Sequence, residues 1–79
     1  MDDVLRLIFK EALALTDIDA QQIREDSSIV TVKGWDSLGH LRLIAALEKT
    51  YGITIDPLEA IDLVDVTAIQ NLVSKKKSL

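Results

Sequence analysis

The chain has 79 residues, of which 48% are hydrophobic and none is cysteine, which suits one domain with a small core and excludes disulfides, a thiolate nucleophile and a cysteine-bound metal. The net charge is −4, and outside residues 75–77 six basic residues stand against thirteen acidic ones, which argues against nucleic acid and for a partner with a basic patch. No apolar run approaches the roughly 20 residues that span a bilayer, and Asp2 and Asp3 do not suit a signal peptide, so we expect a cytoplasmic protein without stable membrane insertion.

The first predicted helix covers residues 2–15, where apolar side chains recur at steps of three and four residues. Its inward stripe comprises Val4, Leu5, Ile8, Ala12 and Leu15, widened by Leu7 and Leu13. Residues 16–35 show no sustained period and predict a long ordered loop, with a short helical turn near residues 20–24. So long a connection in a small domain is uncommon and is often functional.

The next two predicted helices are marked by their start and stop residues. The second covers residues 38–50 and is followed by Gly52, which suits the left-handed residue that closes many helices. The third is short, covering residues 57–62, because the segment Asp-Pro-Leu-Glu that begins at position 56 is a helix start signal.

The fourth predicted helix begins at a capping box of Thr67 and Gln70 and ends at the lysines, so residues 75–79 are expected to be a frayed, solvated end. Together the elements predict an all-α protein: a small four-helix bundle with a short third helix and a long loop between helices 1 and 2. We expect one monomeric domain over residues 1–79. Its predicted core consists of Leu5, Ile8, Leu43, Ile44, Leu47, Ile55, Leu63, Val66, Ile69 and Leu72.

The segment Gly-Trp-Asp-Ser-Leu at positions 34–38 joins the long loop to the second helix. Asp36 and Ser37 are both favoured N-cap residues, so capping is the simplest interpretation of this pair. A capping box would need Glu or Gln three residues later, and those two positions hold glycine and histidine. An anion on Ser37 would be favoured by the unpaired N–H groups and the dipole of the helix start. Ser37 is therefore either a cap or the attachment point of a phosphate.

Three further segments follow at characteristic spacing: Leu47-Glu48, Tyr51-Gly52-Ile53-Thr54-Ile55 and Val66-Thr67-Ala68-Ile69. With Asp36-Ser37-Leu38 they resemble the acyl carrier protein superfamily, which includes the peptidyl carriers, over essentially the whole chain. The resemblance implies that a phosphopantetheinyl transferase moves 4'-phosphopantetheine from coenzyme A onto Ser37, and that the thiol of this arm carries an acyl group as a thioester. It also implies that Asp36 supports this modification.

The resemblance further implies two sets of contact residues. Residues expected to bind partner enzymes are Leu38, Leu41, Arg42, Ala45, Asp56, Glu59 and Asp62. Residues expected to contact the cargo are Ile29, Leu47, Ile55, Ala60 and Leu63. For the cargo set, plain packing in the core is the simpler interpretation, and we favour it over a roomy acyl cavity.

Carriers of fatty acid synthesis usually follow this motif with several acidic residues, whereas here Gly39-His40-Leu41-Arg42 follows and the acids lie near the short third helix. Because rim charges chiefly set partner choice, we predict a specialised carrier for a polyketide, a nonribosomal peptide, or modification of a polysaccharide or lipid. It would be served by a loading ligase or transferase and by synthase enzymes. An aminoacyl or peptidyl carrier and an unmodified helical adaptor are the alternatives, although an adaptor has no need of the Ser37 hydroxyl.

His40 lies one helical turn after Ser37, so a Ser–His hydrolase is conceivable. The sequence offers no nucleophile elbow and no evident oxyanion hole, and we predict that the chain is not an enzyme. We therefore expect His40 to be solvated or to touch a partner. Trp35 is most simply a loop anchor packed against the bundle rather than a contact of the arm.

Overall fold

The computed structural model describes residues 1–77, which form five α-helices. These are α1 (Asp3–Ala12), α2 (Asp17–Gln21), α3 (Ser37–Tyr51), α4 (Pro57–Ile61) and α5 (Val66–Lys77). The predicted all-helical fold is confirmed, with the short helix and the long connection in their expected places. The additional helix, α2, lies within that connection. None of the five helices is long and apolar enough to cross a membrane.

α1 is shorter than predicted, and its buried stripe differs from the predicted one at three positions. Its helical backbone stops before Ala14, which has a left-handed conformation with φ 53°. Val4 and Leu7, predicted to face inward, are 49% and 52% exposed, whereas Phe9 is completely buried. The stripe of α1 that packs inward therefore runs through Leu5, Ile8, Phe9 and Ala12.

α2 starts before the predicted turn because the Thr16 hydroxyl caps it, accepting a hydrogen bond from the Asp19 N–H at 3.1 Å. The end of α2 is held by α1. The Arg6 guanidinium donates to the carbonyl oxygen of Ala20 at 2.5 Å and to that of Ile23 at 3.0 Å. The Ala20 carbonyl oxygen also accepts from the Ile23 N–H at 3.3 Å, so the guanidinium ties an already turned segment to α1.

The rest of the long loop is tied to the segment between α4 and α5. The Ile29 N–H donates to the Val64 carbonyl oxygen at 2.8 Å, and the Val66 N–H donates to the Ser27 carbonyl oxygen at 3.0 Å. Around these bonds, Ser28 and Asp65 form an isolated antiparallel bridge. The loop is therefore ordered by backbone pairing with residues far away in sequence.

The start signal predicted for the third helix is found at the start of α4. The capping box predicted for the fourth helix is not found at the start of α5. Asp56 and Glu59 form the capping box of α4. α5 is capped by Asp65, whose carboxylate accepts from the Ala68 N–H at 2.7 Å. The Thr67 hydroxyl, expected to be the cap, instead donates to the carbonyl oxygen of Glu25 at 2.8 Å.

The three lysines form the last turn of α5. Lys76 Nζ lies 2.9 Å from a carboxylate oxygen of Glu59. The ammonium of Lys77 lies over the ring of Tyr51, 5.2 Å from its centroid. Residues 75–77 are therefore helical and make contacts with the bundle, the predicted fraying of residues 75–79 stays a prediction, and Ser78 and Leu79 lie outside the described residues.

The core is built from all parts of the described chain. Eight of the ten predicted core residues are buried, and Ile44 and Leu72 are half-buried at its edge. Buried residues that the core prediction left out are Phe9, Ala12, Leu13, Leu15, Ala20, Ile23, Trp35 and Val73. Because several of these lie between α1 and α3, the long loop and its flanks form part of the core.

Candidate functional site

Ser37 is the first residue of α3 and its side chain is exposed. The cap is supplied by Asp36, whose carboxylate accepts from the Gly39 N–H at 2.8 Å. The Asp36 carbonyl oxygen accepts from the His40 N–H at 2.7 Å and starts the helical bonding pattern. Within residues 1–77 the Ser37 hydroxyl makes no hydrogen bond, so the two interpretations of this pair separate: Asp36 caps, and Ser37 remains available for chemistry.

The backbone of the loop lies directly against the first turn of α3. A Cβ atom added at Gly39 would lie 2.1 Å from the Gly34 carbonyl oxygen and 2.9 Å from Leu13 Cδ2. Gly34 itself has φ +80°, a conformation that favours glycine. This role of Gly39 was not predicted from the sequence, although a glycine within a helix is about 1 kcal/mol less favourable than alanine and so signals a special position.

Trp35 and His40 form a hydrogen-bonded relay that reaches α4. Trp35 Nε1–H donates to His40 Nδ1 at 2.9 Å, and His40 Nε2 lies 2.8 Å from the carbonyl oxygen of Ala60. An indole N–H can only donate and a carbonyl oxygen can only accept. The imidazole in this relay is therefore neutral and carries its proton on Nε2.

The relay confirms one prediction and corrects another. Trp35 is 3% exposed and packs edge-on against Phe9, with ring centroids 5.2 Å apart, so it is the predicted loop anchor. His40 is half-buried and bonded within the protein through both ring nitrogens, so the expectation of a solvated or partner-bound side chain is wrong. Neither nitrogen is left to act as a base toward Ser37.

Four of the residues predicted to bind partners share one exposed stripe of α3. They are spaced at three and four residues, which places them on one side of the helix. Leu38 and Leu41 are 57% and 69% exposed. The stripe consists of Leu38, Leu41, Arg42 and Ala45. It begins beside Ser37, and its one charge is positive.

The three acidic residues predicted to bind partners lie on or beside α4, and two of them have structural roles. Asp56 accepts from the Leu58 N–H at 3.0 Å as the helix cap. Glu59 is half-buried, accepts from the Asp56 N–H at 3.0 Å and pairs with Lys76. Asp62 is exposed just after the helix. The acidity of this segment is thus partly compensated within the protein.

Ion pairing lowers the pKa of two carboxyl groups. The hydrogen bond from Lys76, followed by the one from the Asp56 N–H, lowers the pKa of Glu59. Lys10 of α1 forms an ion pair with Asp17 of α2. Its hydrogen bond and its charge likewise lower the pKa of Asp17. Both carboxylates are stabilised in their charged form, and the pair at Glu59 links the short α4 to the end of α5.

The residues predicted to contact cargo divide into two groups. Leu47, Ile55 and Leu63 are buried in the core, as their packing interpretation requires. Ile29 and Ala60 are half-buried. The structure therefore brings Ile29 toward the site but keeps most of this set inside the bundle.

A groove opens beside Ser37, between the loop and α3. It has a volume of about 650 Å³ and is mainly apolar. Val30, on its loop side, is 88% exposed. We call it the Ser37 groove; its lining residues are Ile29, Val30, Asp36, Ser37, His40 and Leu41. Its polar end is the start of α3, where the hydroxyl is available.

Comparison with protein-family models matches residues 3–73 to the model described as a phosphopantetheine attachment site. The match spans α1 through most of α5 and includes the whole Ser37 site. A comparison with curated proteins found no matching relative.

Proposed function

The chain belongs to the phosphopantetheine attachment site family, and from this premise we propose that it is an acyl carrier protein with its arm on Ser37. Domains of this family are sites of 4'-phosphopantetheine attachment, and they are generally carriers rather than enzymes. The observation that carries the assignment of Ser37 is its exposed hydroxyl at the first position of α3, where capping is left to Asp36.

The residues around Ser37 fit a phosphate-linked arm. α3 is a long helix, so its first turn presents unpaired N–H groups and the positive end of the helix dipole, both of which favour a phosphodiester. When bound, 4'-phosphopantetheine supplies the thiol that this cysteine-free chain lacks, and that thiol holds an acyl group as a thioester. Asp36 fixes the helix start and so holds the Ser37 oxygen at the surface, open to a transferase.

The stripe of α3 next to Ser37 supports a specialised pathway. Leu38 and Leu41 offer apolar contacts, and Arg42 is the one charged residue of α3 before Glu48. A partner built for a highly acidic helix would meet the wrong charge here. We therefore place the chain with loading and synthase enzymes of polyketide, nonribosomal peptide, polysaccharide or lipid modification pathways. These enzymes choose the cargo, which makes an aminoacyl or peptidyl group the alternative to an acyl group.

The attachment site is tested by intact mass spectrometry. The purified protein is weighed before and after incubation with coenzyme A, magnesium and a promiscuous phosphopantetheinyl transferase. We expect a gain of one phosphopantetheinyl group for the natural chain and for Ser74→Ala, a control at an exposed serine of α5. We expect no gain for Ser37→Ala, because its side chain offers no oxygen for the phosphodiester.

The starting mass decides how a negative result is interpreted. A folded protein that carries no arm at the outset and gains none would contradict the proposal and favour the helical adaptor. A gain that persists in Ser37→Ala would keep the carrier function but move the attachment to another residue.

The specialised pathway makes a separate prediction. A malonyl transferase of fatty acid synthesis should load the holo protein with a kcat/KM about tenfold lower than for its own carrier, because the α3 stripe lacks the acids that its basic surface contacts. Loading is followed by the mass of the thioester, with both carriers first converted fully to their holo forms. Equal rates for the two carriers would contradict a dedicated pathway.

A further inference from the structure

We propose that the Ser37 groove is the seat of the covalent arm, with the dimethyl carbon of the pantoyl unit packed between Val30 and Leu41. This inference rests on the proposed attachment to Ser37 and adds the surface along which the arm lies. It assigns a binding role to the loop at positions 29–30, before the helix that carries the attachment point.

The position of the groove is the first argument. Ser37 is one of its lining residues, so a chain attached to that hydroxyl begins inside it. Its walls come from two elements, the loop at Ile29 and Val30 and the exposed side of α3 at Leu41. A volume of about 650 Å³ lies within the usual range of ligand-binding clefts.

The distribution of polar groups is the second argument. The Asp36 and Ser37 side chains lie at the start of α3, while Ile29, Val30 and Leu41 are apolar. The remaining lining residue, His40, has both ring nitrogens bonded to other parts of the protein, so its ring offers no unpaired donor or acceptor. The groove is therefore polar at the Ser37 end, where the N–H groups and dipole of the α3 start favour a phosphodiester although the Asp36 carboxylate is nearby, and it is apolar immediately beyond that end.

The chemistry of the arm has this order. Its phosphate is joined to a methylene group, and the next carbon bears two methyl groups, so the most apolar part of the arm is the part closest to serine. The amides and the thiol follow further out. Because the groove is open to solvent along its length, the amides can remain hydrated while the dimethyl carbon is covered.

The walls are held in place without a ligand. The Ile29 N–H is bonded to the Val64 carbonyl oxygen, and the Val32 N–H is bonded to the Ser28 carbonyl oxygen at 3.0 Å. These bonds fix the loop on both sides of Val30. A single exposed valine needs no explanation. Val30, however, is fixed and lines an apolar groove beside the proposed attachment point, and such a preformed surface can bind the arm without the cost of ordering the loop.

The experiment is nuclear magnetic resonance on the holo protein with an unlabelled arm and ¹³C-labelled protein methyl groups. Conversion is first verified by intact mass. We expect nuclear Overhauser cross-peaks from the two pantoyl methyl groups to the methyl groups of Val30 and Leu41. The cross-peaks to Leu41 should be lost in Val30→Asp, which places a charge in the apolar wall, whereas the cross-peaks to both residues should be kept in Val4→Asp, the same change at an exposed valine of α1 that lies outside the groove.

The outcomes separate the two proposals. A full mass gain together with pantoyl methyl groups that show no cross-peak to the groove and resonate as in free phosphopantetheine would overturn the seat while leaving the attachment to Ser37 standing. Cross-peaks to Leu41 that persist unchanged in Val30→Asp would also overturn it. The absence of any mass gain would overturn the attachment, and the seat with it.

Discussion

Replacing Gly39 with alanine should lower the free energy of unfolding by about 3 kcal/mol. Helix propensity predicts the opposite sign, because alanine is favoured over glycine within a helix by about 1 kcal/mol. The clash should prevail because the added Cβ would lie 2.1 Å from the Gly34 carbonyl oxygen, and backbone on both sides must move apart to make room. Urea-induced unfolding followed by circular dichroism measures the change.

Gly52→Ala is the matched control. Gly52 closes α3 with φ +65°, and a Cβ at this position meets nothing within 4 Å. Its substitution should cost about 1 kcal/mol, through backbone conformation alone. If Gly39→Ala proves neutral or stabilising, the close approach of the loop to α3 is not as described.

The same substitution should disturb the modification site. Gly39 donates its N–H to the cap residue Asp36, and Ser37 lies between the two. Moving the first turn of α3 away from Gly34 therefore moves the residue that we propose as the attachment point. We expect Gly39→Ala to be the variant in which loss of stability and slower phosphopantetheinylation occur together.

How far the fold could be predicted depended on whether a signal was local. Gly52 closes α3 and the Asp56 capping box opens α4, and both signals use atoms only a few residues apart in sequence. The stop at Gly52 and the start at Asp56 were therefore predicted correctly. The start of α5 was not, because Asp65 and Thr67 are both good caps and local rules do not choose between them. The Thr67 hydroxyl instead donates to the carbonyl oxygen of Glu25, which is 42 residues away in sequence, and this bond leaves Asp65 as the cap.

The site divides in the same way. Asp36 and Ser37 could be found because capping chemistry is written in neighbouring residues. His40 was misjudged because its partner Ala60 lies 20 residues further along the chain, on another helix. The capping role of Glu59 could be predicted, but its ion pair with Lys76 could not, because Lys76 reaches Glu59 only when α5 packs against α4.

Replacing His40 with phenylalanine should lower the free energy of unfolding by about 2 kcal/mol, because a buried indole N–H loses its acceptor. The ring and much of its packing are retained, so the change isolates the two hydrogen bonds of the relay. The second expected effect is local. α4 contains no buried residue, and losing the bond to Ala60 should speed hydrogen exchange of its amides more than that of the amides in α1.

Two further variants separate the halves of the relay. His40→Gln can still donate to the Ala60 carbonyl oxygen but cannot serve Trp35 in the same geometry, so it should restore the protection of α4 and only part of the global stability. In a double-mutant cycle, Trp35→Phe should cost less in the His40→Phe background than in the natural chain, because its partner is already gone. If the losses in free energy of unfolding for the two substitutions are additive, the hydrogen bond between Trp35 and His40 contributes nothing measurable to stability.

The tautomer gives this last prediction a readout that packing alone would not move. In the relay His40 carries its proton on Nε2, so ¹⁵N spectra of the imidazole should show a protonated Nε2 and an unprotonated Nδ1 that accepts from the Trp35 N–H. The opposite tautomer would break both bonds at once. Suppose that the expected tautomer is found and that the amides of α4 exchange faster in His40→Phe. The His40 side chain then joins the loop that leads into the Ser37 site, through Trp35, to α4, through Ala60, and it sets the distance between them.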